Sequence, residues 1–282
     1  MRLIAIPSVL CSVAAFILGM LCIFAGSKPG FLEDAAVITL NTTNLGKNAT
    51  ALLDATSTST GPLDSLPTRL SGVVDNVTDT VADFVVDALG ISEFYSVHLL
   101  DYCQGSYTPS PTDEDAEKNV TYCSPRKGLI DFNLTQILEE ELNTEDTNVG
   151  IDDLGLTDQV DDASRIIELA ARVTFICYVL GVAMAGFSIF LGIIGVLSNG
   201  RLWASINFMF AFITFAVLGA ASGVITSGAT RGVNAINKYG EPIGLSAYRS
   251  TKLLGMTWSA TALMLIAAVL WLASCIFTPR KR

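Results

Sequence analysis

The sequence predicts an α-helical integral membrane protein: four transmembrane helices, with a large, mainly helical, disulfide-pinned extracellular loop domain between the first and second. Three observations predict it. Four apolar runs reach the roughly 20 residues that a helix needs to cross a bilayer, and none contains Asp, Glu, Lys, Arg or His. Charge is segregated: residues 26–172 hold 26 acidic and 8 basic side chains, and the remainder holds 1 acidic and 9 basic. That acidic insert also contains two cysteines and five N-x-T sequons.

The first span is residues 3–25. Arg2 followed by an apolar run is also the pattern of a signal peptide, and Ala25-Gly26 offers small residues for cleavage. A signal h-region is usually about 7–15 residues, and this run is longer, so an uncleaved signal anchor is the expectation.

Residues 26–172 are expected to form the acidic, glycosylated outer domain. Leu70, Val73, Val74, Val77, Val81, Phe84, Val85 and Leu89 follow helical spacing, and Asp75, Asp79, Asp83 and Asp87 recur on another face. The spacing predicts an amphipathic helix stopped at Gly90. Its acidic stripe is read as a solvated face. A calcium site is disfavoured, because evenly spaced aspartates on one rigid helix cannot wrap an ion and no EF-hand loop is present. Phe132–Leu142 reads as a second helix. Leu156–Arg172 reads as a third, continuous with the following span. The Ser- and Thr-rich stretch from Thr42 to Thr68 reads as a loop.

Cys103 and Cys123 lie outside the apolar runs, unlike Cys11, Cys22, Cys177 and Cys275. A bond between them would close a loop of about 20 residues and contribute roughly 3 kcal/mol in the chain-entropy account. The intervening acidic, proline-bearing segment is expected to be an exposed tip. Free thiols or a metal pair is the alternative, but the chain's single histidine, His98, leaves few further ligands. No metal and no cofactor is expected.

The remaining spans are 173–197, 202–225 and 253–277, with a short outer loop at 226–252 and a basic cytosolic tail at 278–282. Small residues dot them. Gly181, Gly192 and Gly195 lie in the second, and Gly219 and Gly223 make a G-x-x-x-G in the third. Such residues let helices approach closely in lipid, either within one bundle or between copies. Cys275, near the basic tail, is a candidate for S-palmitoylation.

Counting Lys and Arg near the span ends does not orient the chain, because both sides carry them. Covalent chemistry does. The sequons at Asn41, Asn48, Asn76, Asn119 and Asn133 all fall in the insert, and sequons mark surface segments of secreted domains. Disulfides persist in oxidising compartments. The insert is therefore expected outside and both termini in the cytosol, at the plasma membrane. The outer loop carries Arg231, Lys238, Arg249 and Lys252, and is expected to lie against the acidic insert.

Catalytic patterns are missing. There is no Walker glycine loop, H-E-x-x-H or G-x-S-x-G. His98, between Val97 and Leu99, is read as a packed side chain. Spans without ionisable groups argue against an ion-coupled pump. Nothing points to nucleic acid.

The layout resembles the fungal Sur-seven/PalI family: one uncleaved span, a large glycosylated outer loop with two cysteines, then three clustered spans. FYSVHLLDYCQGSY (Phe94–Tyr107) is similar to the family's first cysteine motif, VTYCSPRKGLIDFN (Val120–Asn133) to its second, and GMTWSATAL lies in the fourth span. The layout also resembles claudin-like proteins, but their W-G-L-W-type sequence is missing here. The family resemblance implies a non-enzymatic protein that organises cortical, eisosome-like plasma-membrane domains and influences endocytosis, cell wall and morphogenesis. It equally implies an alternative, a PalI-type accessory that assists a receptor in ambient-pH signalling. A channel or transporter subunit is the third reading. Several family members carry long cytosolic tails, and five residues follow the fourth span here. Contacts are therefore expected through the spans or the outer domain, with the lipid bilayer, with further copies or other cortical membrane proteins, and with the cell-wall side.

Overall fold

The computed structural model describes residues 2–44, 92–108, 117–125, 157–198, 200–240 and 244–277. Among these, four helices are long and apolar enough to cross a membrane. They are α1 (Arg2–Phe24), α2 (Thr157–Ser198), α3 (Arg201–Gly240) and α4 (Thr251–Phe277). They pack in a ring, α1 against α2 and α4, and α3 against the same two.

The bundle interior follows from its side chains. Ala15, Ala185, Ala211, Ala260 and Ala267 are buried and let the backbones approach, while Tyr178, Leu218, Met264 and Trp271 fill the space left. Without a hydrophobic drive between helices in lipid, small polar groups add specific ties. Ser8 Oγ donates to Ala267 O at 3.1 Å, joining α1 to α4. Asn207 Nδ2 donates to Leu191 O at 3.1 Å, joining α3 to α2. Trp258 Nε1 donates to Thr226 Oγ1 at 3.0 Å, joining α4 to α3.

The insert between the first two spans, expected to be mainly helical, contains a sheet in its described part. The sheet is five-stranded and antiparallel, with order β4-β3-β2-β1-β5. The strands are β1 (Ile38–Asn41), β2 (Phe94–Val97), β3 (Tyr102–Thr108), β4 (Glu117–Cys123) and β5 (Ser246–Arg249). Both sides of the Cys-bearing loop, Tyr102–Thr108 and Glu117–Cys123, are strands, and the proline-bearing acidic segment between them, expected as an exposed tip, lies outside the described residues. The reason the periodicity missed the sheet is visible in β2. Phe94 and Ser96 face inward, followed by buried His98, so the buried face is partly polar and the apolar alternation that marks a half-buried strand is absent. Strands of four residues add little signal of their own. The helices expected at 70–89 and Phe132–Leu142 lie outside the described residues, as does the loop expected beyond Asn44.

As expected, the third helix of the insert and the second span are one rod, with α2 beginning at Thr157. At 1.5 Å per residue, its 42 residues exceed a hydrocarbon core of about 30 Å. The segment expected as a loop from 226 is helical through Gly240, because α3 does not stop where its apolar run ends.

The last part of that segment lies against the insert, as expected, but chiefly through backbone. β5 pairs with β1, Thr39 opposite Tyr248 and Leu40 opposite Ala247. Asn237 on α3 clasps the other side of β5: its Nδ2 donates to Ala247 O at 3.1 Å and its Oδ1 accepts from Ala247 N at 2.6 Å. A helix therefore covers what would be an open sheet edge. Of the four basic residues, Lys252 meets the insert at Asp34 Oδ2, 2.5 Å away, whereas Arg249 donates to Thr230 on α3. Both Lys252 and Asp34 are more than half exposed, so the charge pair adds at most about 1 kcal/mol.

Candidate functional site: the junction of sheet and bundle

The sheet meets the bundle where α1 ends and α4 begins. The turn after α1 has Gly26 at φ 77° and Gly30 at φ 78°. Gly26 is required twice over. Its φ is unfavourable for L side chains, and a Cβ would stand 2.3 Å from His98 Cδ2. Past the turn, Glu33 enters the junction and Asp34 remains at its rim. Ser250 ends the sheet and starts α4: its Oγ accepts from Leu253 N at 3.2 Å, an N-cap bond, and donates to Asp34 O.

Inside the junction sits a buried polar cluster. Glu33 is 8% exposed, Ser96 0% and His98 1%. Ser96 Oγ donates to Glu33 Oε1. His98 Nδ1 donates to Ala35 O at 3.3 Å, which turns Nε2 toward Glu33 Oε1 at 3.7 Å. Burial raises the Glu33 carboxyl, but the approach of His98 and the hydrogen bond from Ser96, with the positive charge of Lys118, outweigh it and leave the group below its usual 4.5. Asp34 is lowered as well, chiefly by its hydrogen bond from Lys252. Glu33 and His98 come from segments 63 or more residues apart in the chain, and the sequence carries no local signal that joins them.

Cys103 lies beside this cluster, on β3. It faces Cys123 on β4 in register, and the two are disulfide-bonded. Glu33, His98 and Cys103 lie close enough to hold a metal by distance, but a sulfur in a disulfide is no thiolate and cannot ligate as one. That leaves two ligand side chains, fewer than a zinc site uses. Gly105 allows the β-bulge between Gln104 and Gly105: a Cβ there would meet Asn119 O at 2.1 Å and Phe94 Cζ at 2.9 Å.

The sequons divide. Asn41 ends β1, and its Oδ1 accepts from Thr43 N at 3.0 Å and Thr43 Oγ1 at 2.7 Å. Asn119 is exposed on β4. Asn48, Asn76 and Asn133 lie outside the described residues. Of the span glycines, Gly181 faces Leu218 on α3, Gly192 faces Val9 on α1, and Gly195 faces Asn207 and Trp271, each closer than a Cβ could sit without a shift. Gly219 leaves ordinary contact with Thr261, and Gly223 borders open space. Cys275 is partly buried, with its Sγ 3.2 Å from Ser205 Oγ.

A bundle capped by a disulfide-bonded sheet whose strands include both cysteine motifs sets what the comparisons have to match. The sequence model of the SUR7/PalI family matches residues 4–270. The chain belongs to the SUR7/PalI family. A further relative is the SUR7 family protein pun1 of Schizosaccharomyces pombe, 27% identical over 219 residues, which cover 74% of this chain and 73% of the relative. No solved structure matches. In this SUR7/PalI chain the matched region reaches into all four described helices and spans the five described strands.

Proposed function

We propose that this is a non-enzymatic plasma-membrane protein that organises cortical membrane domains of the eisosome kind, with effects on endocytosis, cell wall and morphogenesis. The observation that carries the reading is mechanical. The sheet is tied to the bundle by the Gly26 turn, by β5 between β1 and α3, and by the Ser250 cap. Such a tie transmits lateral order in the membrane to a surface feature, and the reverse. The sheet faces outward in this proposal, with Asn41, Asn48, Asn76, Asn119 and Asn133 as glycan sites and both termini in the cytosol. Gly223, which borders open space on α3, is available to a neighbouring copy or another cortical membrane protein, and Cys275 to an acyl chain.

Fluorescence recovery of tagged protein tests it. Immobile cortical patches are the expected result, and a uniform, freely diffusing signal overturns the proposal. The PalI-type role in ambient-pH signalling rests on the family, whose name covers both branches. The Glu33 carboxyl is held below its ordinary 4.5, which supports the reading of an assistant to a receptor in that branch. A deletion strain with a normal alkaline response rejects that branch.

A further inference from the structure

We propose that a cleft between α1, α4 and the sheet holds one phospholipid with a zwitterionic headgroup. The cleft measures about 850 Å³, within the roughly 300–1,000 Å³ of ordinary ligand pockets. Its position is the first argument. Leu18, Gly255 and Met256 line its lower part and belong to membrane-crossing segments, while Glu33, Asp34 and Lys118 line its upper part and lie outside them. A site that is apolar below and charged above, across the edge of a span, matches a molecule with the same division.

The floor is open. A Cβ at Gly255 would meet no atom within 4 Å. Gly255 lies on the exposed face of α4 there, so no side chain of the chain fills that space. Leu32 gives a second, independent observation. It lines the cleft and has φ 52°, a conformation that costs a non-glycine residue roughly 1–2 kcal/mol. Backbone strain of this kind gathers at ligand sites.

Charge selects the headgroup. The rim carries two amines, Lys118 and Lys252, and three carboxylates, Glu33, Asp34 and Glu117. Lys252 and Asp34 already pair with each other across the rim, and Glu33 is tied to Ser96, so Lys118 and Glu117 remain for the headgroup. A sterol hydroxyl matches neither charge, and an anionic headgroup matches Lys118 alone. A zwitterion places its phosphate at Lys118 and its ammonium at Glu117, and the bilayer supplies it at high local concentration.

The test uses the full chain in nanodiscs that contain phosphatidylcholine and phosphatidylglycerol, with spin-labelled versions of each, followed by mass spectrometry of the lipid retained after detergent purification. The wild type should retain about one phosphatidylcholine per chain and show a matching immobilised spectral component. Gly255→Leu fills the slot while favouring the helix, so folding is kept, as unchanged circular dichroism will show, and retention should fall at least fivefold. Glu117→Lys should shift retention toward phosphatidylglycerol. Equal retention by wild type and Gly255→Leu overturns the site. A wild-type preference for phosphatidylglycerol, or no change of preference in Glu117→Lys, overturns the headgroup assignment.

Discussion

At the scale of single residues, the junction depends on a carboxylate kept charged in a buried place. A buried charge is tolerated only when it is paired and hydrogen-bonded, and Glu33 has His98 and Ser96 for this. Its lowered folded value has a defined sign in stability. The contribution is fully present above the unfolded value of about 4.5, and is lost as pH falls through the lower folded value. Glu33→Gln should therefore lower thermal stability by about 1–3 kcal/mol at neutral pH. The gap between wild type and variant should persist at neutral pH and close as pH falls through the lowered carboxyl value. Melting curves in detergent from acid to neutral pH check it. A gap that changed through neutral pH would assign the titration to another group. This site was poorly legible in the sequence. Cys103 and Cys123 stood out because they are the cysteines outside the apolar runs. Glu33 is one of many acidic residues in the insert, and only its distance to His98 distinguishes it.

At the scale of elements, the spans were legible because a charge-free apolar run of sufficient length has few other uses. The sheet was not. Its strands are short, part of its inward face is polar, and β1 finds its neighbours in segments far along the chain. The helical extension of α3 past Ile225 was also hidden, because polarity rises there without a helix stop. The glycines of the spans separate into two groups that sequence alone does not sort. Gly195 is enclosed by Asn207 and Trp271, whereas Gly223 borders open space. Gly195→Leu should overpack the bundle and cost about 1–3 kcal/mol. Gly223→Leu should leave the melting temperature within a few degrees of wild type and, if α3 meets neighbouring copies, reduce crosslinking between them. Parallel melting and crosslinking of the two variants in native membranes read both effects. Equal destabilisation by both would remove the distinction.

At the scale of the whole molecule, sheet and bundle are separate in chemistry but joined in structure. The disulfide staples β3 to β4, with Cys103 beside the junction cluster, while the helices pack through a core of their own. Replacing Cys103 and Cys123 by serine should therefore loosen the sheet by about 3 kcal/mol and leave the bundle folded. The expected outcome is faster proteolysis in the sheet with unchanged helical circular dichroism, and loss of helicity would show that the sheet supports the bundle more than its contacts suggest. The pairing of β1 with β5 has another consequence, in time rather than in space. Asp34 and Lys252 are 218 residues apart, so the strand that completes the sheet leaves the ribosome long after β1. Non-local pairing of this kind is slow and exposes unfinished edges while it waits. During synthesis β1 must stand with one side unpaired until α3 and β5 arrive, and a chain interrupted before Ser246 keeps that side open. Completion of the sheet thus reports that synthesis has passed β5, which gives cellular quality control a physical mark by which chains that have reached that strand differ from those that have not.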